Sequence, residues 1–520
     1  MRNKRTDISD NNKVEKKKYT NVSITQYVAK AFLWGTLSRV VMAVIQFISV
    51  PLLLSNFGKS DFGIIVLATS INAYIQLLDL GVSSGAVKYF SEWIEKNNYK
   101  LLDSVARTSI SFYVIIGFIN SFFLVMMAFF GLSMFSIEPD QVPIMKNMFF
   151  ILAAFSIANW TSSVFSQLLI ANEQTYVVEQ VNIFRHSLGF IVLMVTILFN
   201  WTIITYFFAF ILVNSLVIIP FFFLAKKNML IESIIPSNDW KNFGEVFKYS
   251  LAIISMGLFQ LSAIKLRPVI LGIFSNEGSQ ILADFRVMET ITLFVIYIGG
   301  MFTSIFLPKT TKLLLANNKE KIENFTYNAT KYTTTVVVCL SVPIILCSNE
   351  LIILYVGSEY IRLSFWLNLW VLFILFGLHN SPVASLVLAS GKTTMLVYSS
   401  AIACIVSLIV NAILTAEFSV GSAIIGFIVY TVIQMSFYYF YYNNRVLGLN
   451  SIKVFKSFIE TTSLGLFSGT IIWYLGINFN NLIFQIIVKT IMWLILYGSL
   501  LFIFRIILYN DLKIYFKNAN

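Results

Sequence analysis

Charge is what this chain carries least of. Asp, Glu, Lys and Arg make up 12% of its 520 residues, where a water-soluble domain carries about 25%, so a soluble core under a polar shell is excluded. Cysteine is also sparse. Cys339, Cys347 and Cys404 all fall inside apolar runs, where they read as small packing residues and not as a disulfide or metal framework. Catalytic signatures are missing too: there is no nucleotide-binding glycine loop, no HExxH, no CxxC and no nucleophile elbow. A membrane glycosyltransferase or polysaccharide polymerase needs a long loop to hold acceptor and acid groups. The longest loops on the charge-poor side, near residues 131–146 and 348–363, are short. Enzyme chemistry and bound cofactors are therefore not expected.

What the chain has in abundance is apolar sequence, 58% of its residues, in stretches of about 20 residues, the length that crosses a roughly 30 Å hydrocarbon layer as helix. The pattern predicts an all-α polytopic membrane protein with about 14 transmembrane helices. They fall near residues 31–54, 63–85, 107–130, 147–170, 181–200, 202–225, 247–271, 286–308, 331–348, 364–389, 395–415, 420–442, 456–476 and 482–505. The net charge of +12 invites a nucleic-acid reading, but its placement argues against one. Lys16, Lys17, Lys18, Lys88, Lys96, Lys226, Lys227, Lys312, Lys319 and Arg445 fall on one side of the predicted spans, with little more than Lys59, Lys146, Arg286 and Arg362 on the other. Lys and Arg resist translocation, so both termini are expected in the cytoplasm. Residues 1–28 read as a disordered basic tail resting near anionic lipid headgroups.

The chain also resembles itself. Pro51-Leu52-Leu53-Leu54 recurs as Pro268-Val269-Ile270-Leu271, Asn97-Asn98 as Asn317-Asn318, and Leu168-Leu169-Ile170-Ala171 as Leu386-Val387-Leu388-Ala389, in one order at a nearly constant offset. Six spans per repeat is an even number, so the halves share one orientation. Two pseudo-symmetric six-helix bundles are expected, at 29–228 and 247–443, joined by a linker at 229–246 and followed by two further helices within 444–520.

Polar residues inside the spans mark where water or protein must lie, because an ionisable group at the bilayer centre costs at least ~2.5–3.5 kcal/mol. Arg39 and Gln46 share a face of the first span; Asn72, Gln76 and Asp79 share one in the second; Gly257, Gln260 and Arg267 share one in the seventh. Three helices with a polar stripe ending in a charge suit a wet cavity between the bundles. The plainer alternatives are a buried Arg39–Asp79 pair and snorkelling of Lys265 and Arg267 to the outer interface. The fourth and tenth spans are interrupted at matched points, Asn159-Trp160-Thr161 and His379-Asn380-Ser381-Pro382, which points to a midplane site; alternatively His379 is a hydrogen-bonded core residue. Glu289 lies one turn from Arg286 and can pair with it. Arg185 and His186 read as interfacial residues at the start of the fifth span. The Gly81/Gly85 and Gly465/Gly469 spacings suit close helix packing.

With the repeat, the Leu77-Leu78-Asp79-Leu80-Gly81 segment, the Asn56-Phe57-Gly58-Lys59-Ser60-Asp61-Phe62-Gly63 hairpin and the Ser38-Arg39 pair, the chain resembles bacterial polysaccharide flippases of the multidrug/oligosaccharidyl-lipid/polysaccharide exporter superfamily over about residues 28–505. The resemblance implies a transporter of the bacterial cytoplasmic membrane that moves undecaprenyl-diphosphate-linked O-antigen, capsule or similar repeat units between leaflets by alternating access. An arginine-lined cavity would hold diphosphate and sugar, and the last two helices would shape a groove for the prenyl chain. By position Arg39 matches the arginine of the first helix, Asp79 the acid of the second and Arg267 the cation of the seventh, although the seventh-span cations sit close to the outer end. Gln46 and Gln260 accompany the arginines as substrate-binding candidates, and Asn159 and Asn380 are the midplane polar candidates. With no ATPase motif, coupling to a proton or sodium gradient is expected, with Asp79, Glu289 and His379 as candidates. Implied partners are the lipid-linked glycan, membrane lipids, and a polysaccharide polymerase with its chain-length machinery. The competing readings are a same-fold exporter of small molecules, in which acidic charge should dominate the cavity, and a flippase of another lipid-linked precursor such as a peptidoglycan or teichoic acid intermediate.

Overall fold

The computed structural model describes residues 24–76, 79–316, 318–504 and 506. Most of the predicted basic tail, Leu77, Leu78, Asn317 of the repeat, and the end of the chain with Lys513 and Lys517 lie outside the described residues. Among those described, all regular structure is helical. The first half of the chain forms α1 (Ile24–Ile75), α2 (Asp79–Glu95), α3 (Tyr99–Met126), α4 (Val142–Ala171), α5 (Thr175–Phe199), α6 (Ile203–Ser215) and α7 (Ile218–Lys227). The second half begins with α8 (Trp240–Lys265), α9 (Arg267–Phe274), α10 (Gln280–Leu315), α11 (Lys319–Leu346) and α12 (Ser348–Val356). It continues through α13 (Leu363–Leu378), α14 (Ser381–Ser390), α15 (Thr394–Phe418), α16 (Gly421–Phe437), α17 (Ser451–Tyr474) and α18 (Leu482–Ile503).

All fourteen predicted segments fall on helix. Nine described helices are long and apolar enough to cross a membrane, or eleven when each of two bent pairs counts as one span. The first predicted pair merges into α1, whose two limbs fold back at Gly58, at φ 80° and ψ 169°, a conformation glycine adopts without steric penalty. Two other predicted spans are bent. The seventh breaks between α8 and α9 by 41° and the tenth between α13 and α14 by 43°. Each second piece opens on a proline, Pro268 or Pro382, where the missing N–H is no loss. Side chains cap the helix starts facing the loops: Asn98, Thr202, Asp239, Asn318, Asn450 and Asn481 each accept from a backbone N–H, satisfying donors that the helix leaves free.

Helices α1 and α10 pack together, as do α2 and α8, and these two seams join the halves. Within the halves, α3 packs on α4, α1 on α5, α15 on α16 and α11 on α17. The last contact is close because Gly465 has no side chain: a Cβ there would lie 2.4 Å from Cγ1 of Val338, the tight packing expected of the glycine spacing. α8 begins at Trp240, inside the stretch predicted as linker. The preceding residues do not hang free. Ser237 donates its N–H to Arg107 O, Arg107 Nε donates to Ile235 O, and the Asp239 N–H donates to Thr108 Oγ1, so the linker is strapped along α3.

Candidate functional site

The end of the molecule that carries the Gly58 hairpin, here the distal end, is sealed between the halves by a charged cluster and a hydroxyl–amide cluster. Asp284 of α10, its side chain wholly buried, takes Lys59 Nζ at 2.8 Å and Arg362 Nη2 at 2.6 Å. Beside it Gln141 Nε2 donates to Ser60 Oγ at 2.6 Å, and Ser279 Oγ donates to Gln141 Oε1 at 3.1 Å and to Ser60 O at 2.8 Å. Gly63 sits so close to this turn that a Cβ would lie 1.9 Å from Ser279 O. Lys59, Ser60, Gly63 and Gln141 belong to the first half, and Ser279, Asp284 and Arg362 to the second.

Behind the seal, the predicted cations of the two halves collect along α1, α9 and α10. Arg39 is exposed on α1 and lies within electrostatic range of Tyr297 on α10. Gln46, two turns further on, is half-buried, and its Oε1 has no hydrogen-bond partner. Arg286 and Glu289 pair at 2.5 Å, and Glu289 is within range of both Tyr297 and Arg267. Arg267 is 3% exposed, with its guanidinium carbon 4.9 Å from the Phe427 ring centre. Its Nε and Nη2 have no hydrogen-bond partner. It is therefore a buried cation inside the second half and not a snorkelling interfacial one; Lys265, two residues away, is the exposed member of the pair.

Two readings of the polar stripes are corrected. Gln260 and Arg267 do not share a straight face: the bend at Leu266 lies between them, leaving Gln260 exposed on α8 and Arg267 buried on α9. In the stripe Asn72-Gln76-Asp79, the connecting residues Leu77 and Leu78 lie outside the described residues. An Arg39–Asp79 pair is not formed. Asp79 instead accepts from Tyr113 Oη and from Ser163 Oγ at 3.0 Å, and Gln167 Nε2 donates to Tyr113 Oη at 2.9 Å.

The midplane candidates do not come together through hydrogen bonds. Asn159 accepts from Ser215 Oγ at 3.0 Å, within the first half. His379 is wholly buried, with Nε2 2.6 Å from Tyr439 Oη and Nδ1 bonded to Phe376 O, the core arrangement weighed as the alternative for it. Neighbouring Asn380 is buried with neither amide atom partnered.

Arg185 stands further along its helix than the start of its apolar run suggests. Arg185 looked interfacial because the apolar run begins near residue 181, but α5 starts at Thr175, so Arg185 lies well inside it. Lys30 Nζ sits 5.8 Å from the centre of the Tyr176 ring. This contact sets α1 and α5 side by side from the same end, and Arg39 and Arg185, each nine residues further along, stand at one depth. Arg185 Nε has no partner.

Comparison with known proteins places this arrangement in a transporter fold. Residues 36–195 match the MatE family profile, and no curated protein matches the chain in sequence. Among solved structures, the lipid II flippase MurJ in an inward closed conformation superposes with TM-score 0.72 at 15% identity, covering 93% of this chain and 99% of that one. An inward-facing multidrug resistance MATE family transporter of the MOP superfamily gives TM-score 0.62 at 14% identity, covering 84% and 98%. The eukaryotic MATE transporter AtDTX14 gives 0.55 at 15% identity, covering 84% and 97%. The chain thus carries a MatE match in its first half and shares the fold of MurJ and of MATE transporters over most of its length.

Proposed function

We propose that this protein is a flippase that carries undecaprenyl-diphosphate-linked oligosaccharide repeat units from the inner to the outer leaflet of a bacterial cytoplasmic membrane, with its termini cytoplasmic and its distal end outside. The observation that carries this reading is Arg267. A buried guanidinium outside any direct ion pair and with two nitrogens unpartnered costs several kcal/mol, and this one stands at the first position of α9, where the helix dipole adds to the positive potential. Both features are repaid by an anion, and planar guanidinium donors match phosphate oxygens two at a time. Arg39 and Arg185 supply further positive charge at a common depth, while Glu289 compensates Arg286 and leaves the others free for ligand. Gln46 and Gln260 are hydrogen-bonding groups for diphosphate or sugar.

Transport by this reading is alternating access: the carried headgroup must bind the two facing states differently, or it moves nothing. Asp79, held only by neutral donors, and Glu289, poised between Arg286 and Arg267, are the proposed proton or cation groups; His379, tied into the core, is the weaker candidate. The match of residues 36–195 to the MatE family favours a second reading, an ion-coupled exporter of small molecules. The two unpartnered guanidinium nitrogens of buried Arg267 support the anionic substrate instead, and the structural likeness to MurJ supports a lipid-linked one, including a peptidoglycan or teichoic acid precursor.

The test is genetic and chemical. Arg39→Ala and Arg267→Ala should leave protein levels intact, abolish surface glycan, and cause lipid-linked repeat units to accumulate inside the cell. Normal glycan display in both variants rejects the reading, and uptake or extrusion of cationic dyes that depends on this chain supports the exporter instead.

A further inference from the structure

The first half carries a groove of about 570 Å³ between α4 and α6, away from the two seams that join the halves. Both helices belong to segments long and apolar enough to cross a membrane, and both begin at the distal end. α4 starts directly after Gln141 of the seal, and near the start of α6 the Tyr206 ring meets Phe57, next to the Gly58 hairpin, with centres 5.7 Å apart. The groove therefore has a polar and an apolar end. Asn147 and Thr205 line it near the two helix starts, and Ile151, Ala154, Phe155 and Phe208 line it below. From Asn147 to Phe155 α4 rises about 12 Å, most of the depth of one leaflet's hydrocarbon. Deeper still, Ser215 Oγ donates to Asn159 Oδ1 at 3.0 Å and joins the two helices, so the gap is confined to the distal half of the pair. Ala154 is exposed and Phe208 is 46% exposed, so the groove opens outward.

A cation stands at its distal rim. Lys146 Nζ lies 4.3 Å from the centre of the Phe129 ring and 5.9 Å from that of Phe150, a lining residue. Two aromatic faces fix where the ammonium sits. Lys59, Arg286 and Arg362 each have a carboxylate oxygen at 2.8, 2.5 and 2.6 Å; among the described residues no carboxylate pairs with Lys146.

An apolar groove open to hydrocarbon is filled by hydrocarbon, so its occupant is an acyl chain, and the rim decides which head that chain bears. We propose that this groove is a resident site for an anionic phospholipid, with its phosphodiester at Lys146 and an acyl chain against Ile151, Phe155 and Phe208. Thr205 stands in the first turn of α6, where the helix dipole adds to the attraction for a phosphate. Both walls belong to one half. The occupant therefore moves with that half when the two halves rock, and it ties α4 to α6 as a component of the fold and not as cargo. The site holds whatever the protein transports.

The experiment places the full chain in phosphatidylcholine vesicles containing a trace of one of two photoreactive lipids, phosphatidylglycerol or phosphatidylcholine, with identical chains and the diazirine at the same place. Peptides covering residues 146–155 and 203–208 should take up the phosphatidylglycerol probe about fivefold more than the phosphatidylcholine probe, the effect of one lysine at an anionic headgroup. Lys146→Gln should make the two equal by lowering the phosphatidylglycerol label alone, and Lys146→Arg should keep the preference. Ala154→Phe, at an exposed position on the groove wall, should lower labelling of these peptides by both probes. Equal labelling of the unaltered protein shows ordinary boundary lipid and overturns the proposal. A preference that survives Lys146→Gln overturns it too, because the attracting charge then lies elsewhere. So does loss of the phosphatidylglycerol label on adding unlabelled geranylgeranyl diphosphate, which shows a groove for isoprenyl lipids.

Discussion

The two ends of the α1–α10 seam differ sharply. Toward the distal end both helices are packed solid: Leu67 of α1 and Leu282 of α10 are 0% exposed, and buried ionic and hydroxyl clusters cross from one half to the other. Toward the opposite end Leu33 of α1 is 65% and Leu315 of α10 82% exposed. Arg39 and Tyr297 stand on the loosened stretch, and Asp284 in the packed one. The distal end of this seam is thus its closed end. The seal is built largely of polar groups. Apolar packing alone would close as firmly, but polar contacts between halves can be exchanged for water at modest net cost, since a typical hydrogen bond contributes only ~0.5–1.5 kcal/mol net. The distal end is thus suited to opening, whereas the interior of each half is suited to staying together.

Locking the tight end should have the largest effect. Ser60 Oγ and Ser279 Oγ are 3.0 Å apart, so thiols in their places fall within bonding reach. In a background lacking Cys339, Cys347 and Cys404, Ser60→Cys with Ser279→Cys should crosslink on oxidation and stop transport almost completely, with recovery on reduction. Full transport by the crosslinked protein would show that the distal end never opens.

Loosening one ion pair should do less, and unequally. Lys59 is the only contribution of the first half to the Asp284 cluster, while Arg362 and Asp284 both belong to the second half, where Arg362 also lies 3.7 Å from Glu277. Lys59→Gln should therefore shift the balance toward the distal-open state by about 1.5 kcal/mol, the low end for a hydrogen bond to a charged group. This is roughly a tenfold increase in labelling of a Gln46→Cys probe by an impermeant maleimide from the distal side. Arg362→Gln leaves the crossing pair in place and should change labelling little. Equal effects from the two variants would mean that the cluster serves the second half alone and does not hold the seam.

This contrast between ends was only partly legible in the sequence. Apolar length revealed the helices, and helical phase singled out Arg39, the Arg286–Glu289 pair and the glycine contact of α17, because these depend on neighbours within a turn or two. The break at Leu266 overrode phase. Gln260 and Arg267 are seven apart, yet Pro268 starts a new helix between their surroundings, and a single-helix argument cannot survive that. The distal seal was the least readable part. Lys59, Gln141, Ser279, Asp284 and Arg362 each look like ordinary polar residues near a loop, and only the folding of two distant hairpins onto each other gives them partners.

At the loose end, the halves are held by the strapped linker, and there the expected effect is smallest. Asp239 caps α8 and accepts from Ser104 Oγ at 3.2 Å, tying the start of the second half to α3. Its pKa is held below the ordinary aspartate value, first by hydrogen bonding from the Asn242 side chain and then by the Asn242 backbone and Ser104. A lowered folded-state value means that the stabilisation is present above the unfolded pKa of about 3.9 and is lost as pH falls through the folded value. The strap should therefore be unaffected by pH across the neutral range and fail only under acid. Asp239→Ala should cost about 1 kcal/mol, the usual worth of such a cap, and Asp239→Asn should recover most of it at neutral pH while removing the acid dependence. Thermal unfolding in detergent at neutral and acidic pH measures both. A strap that merely decorates α3 would give no difference between the variants, and the loose end would then be joined by chain continuity alone.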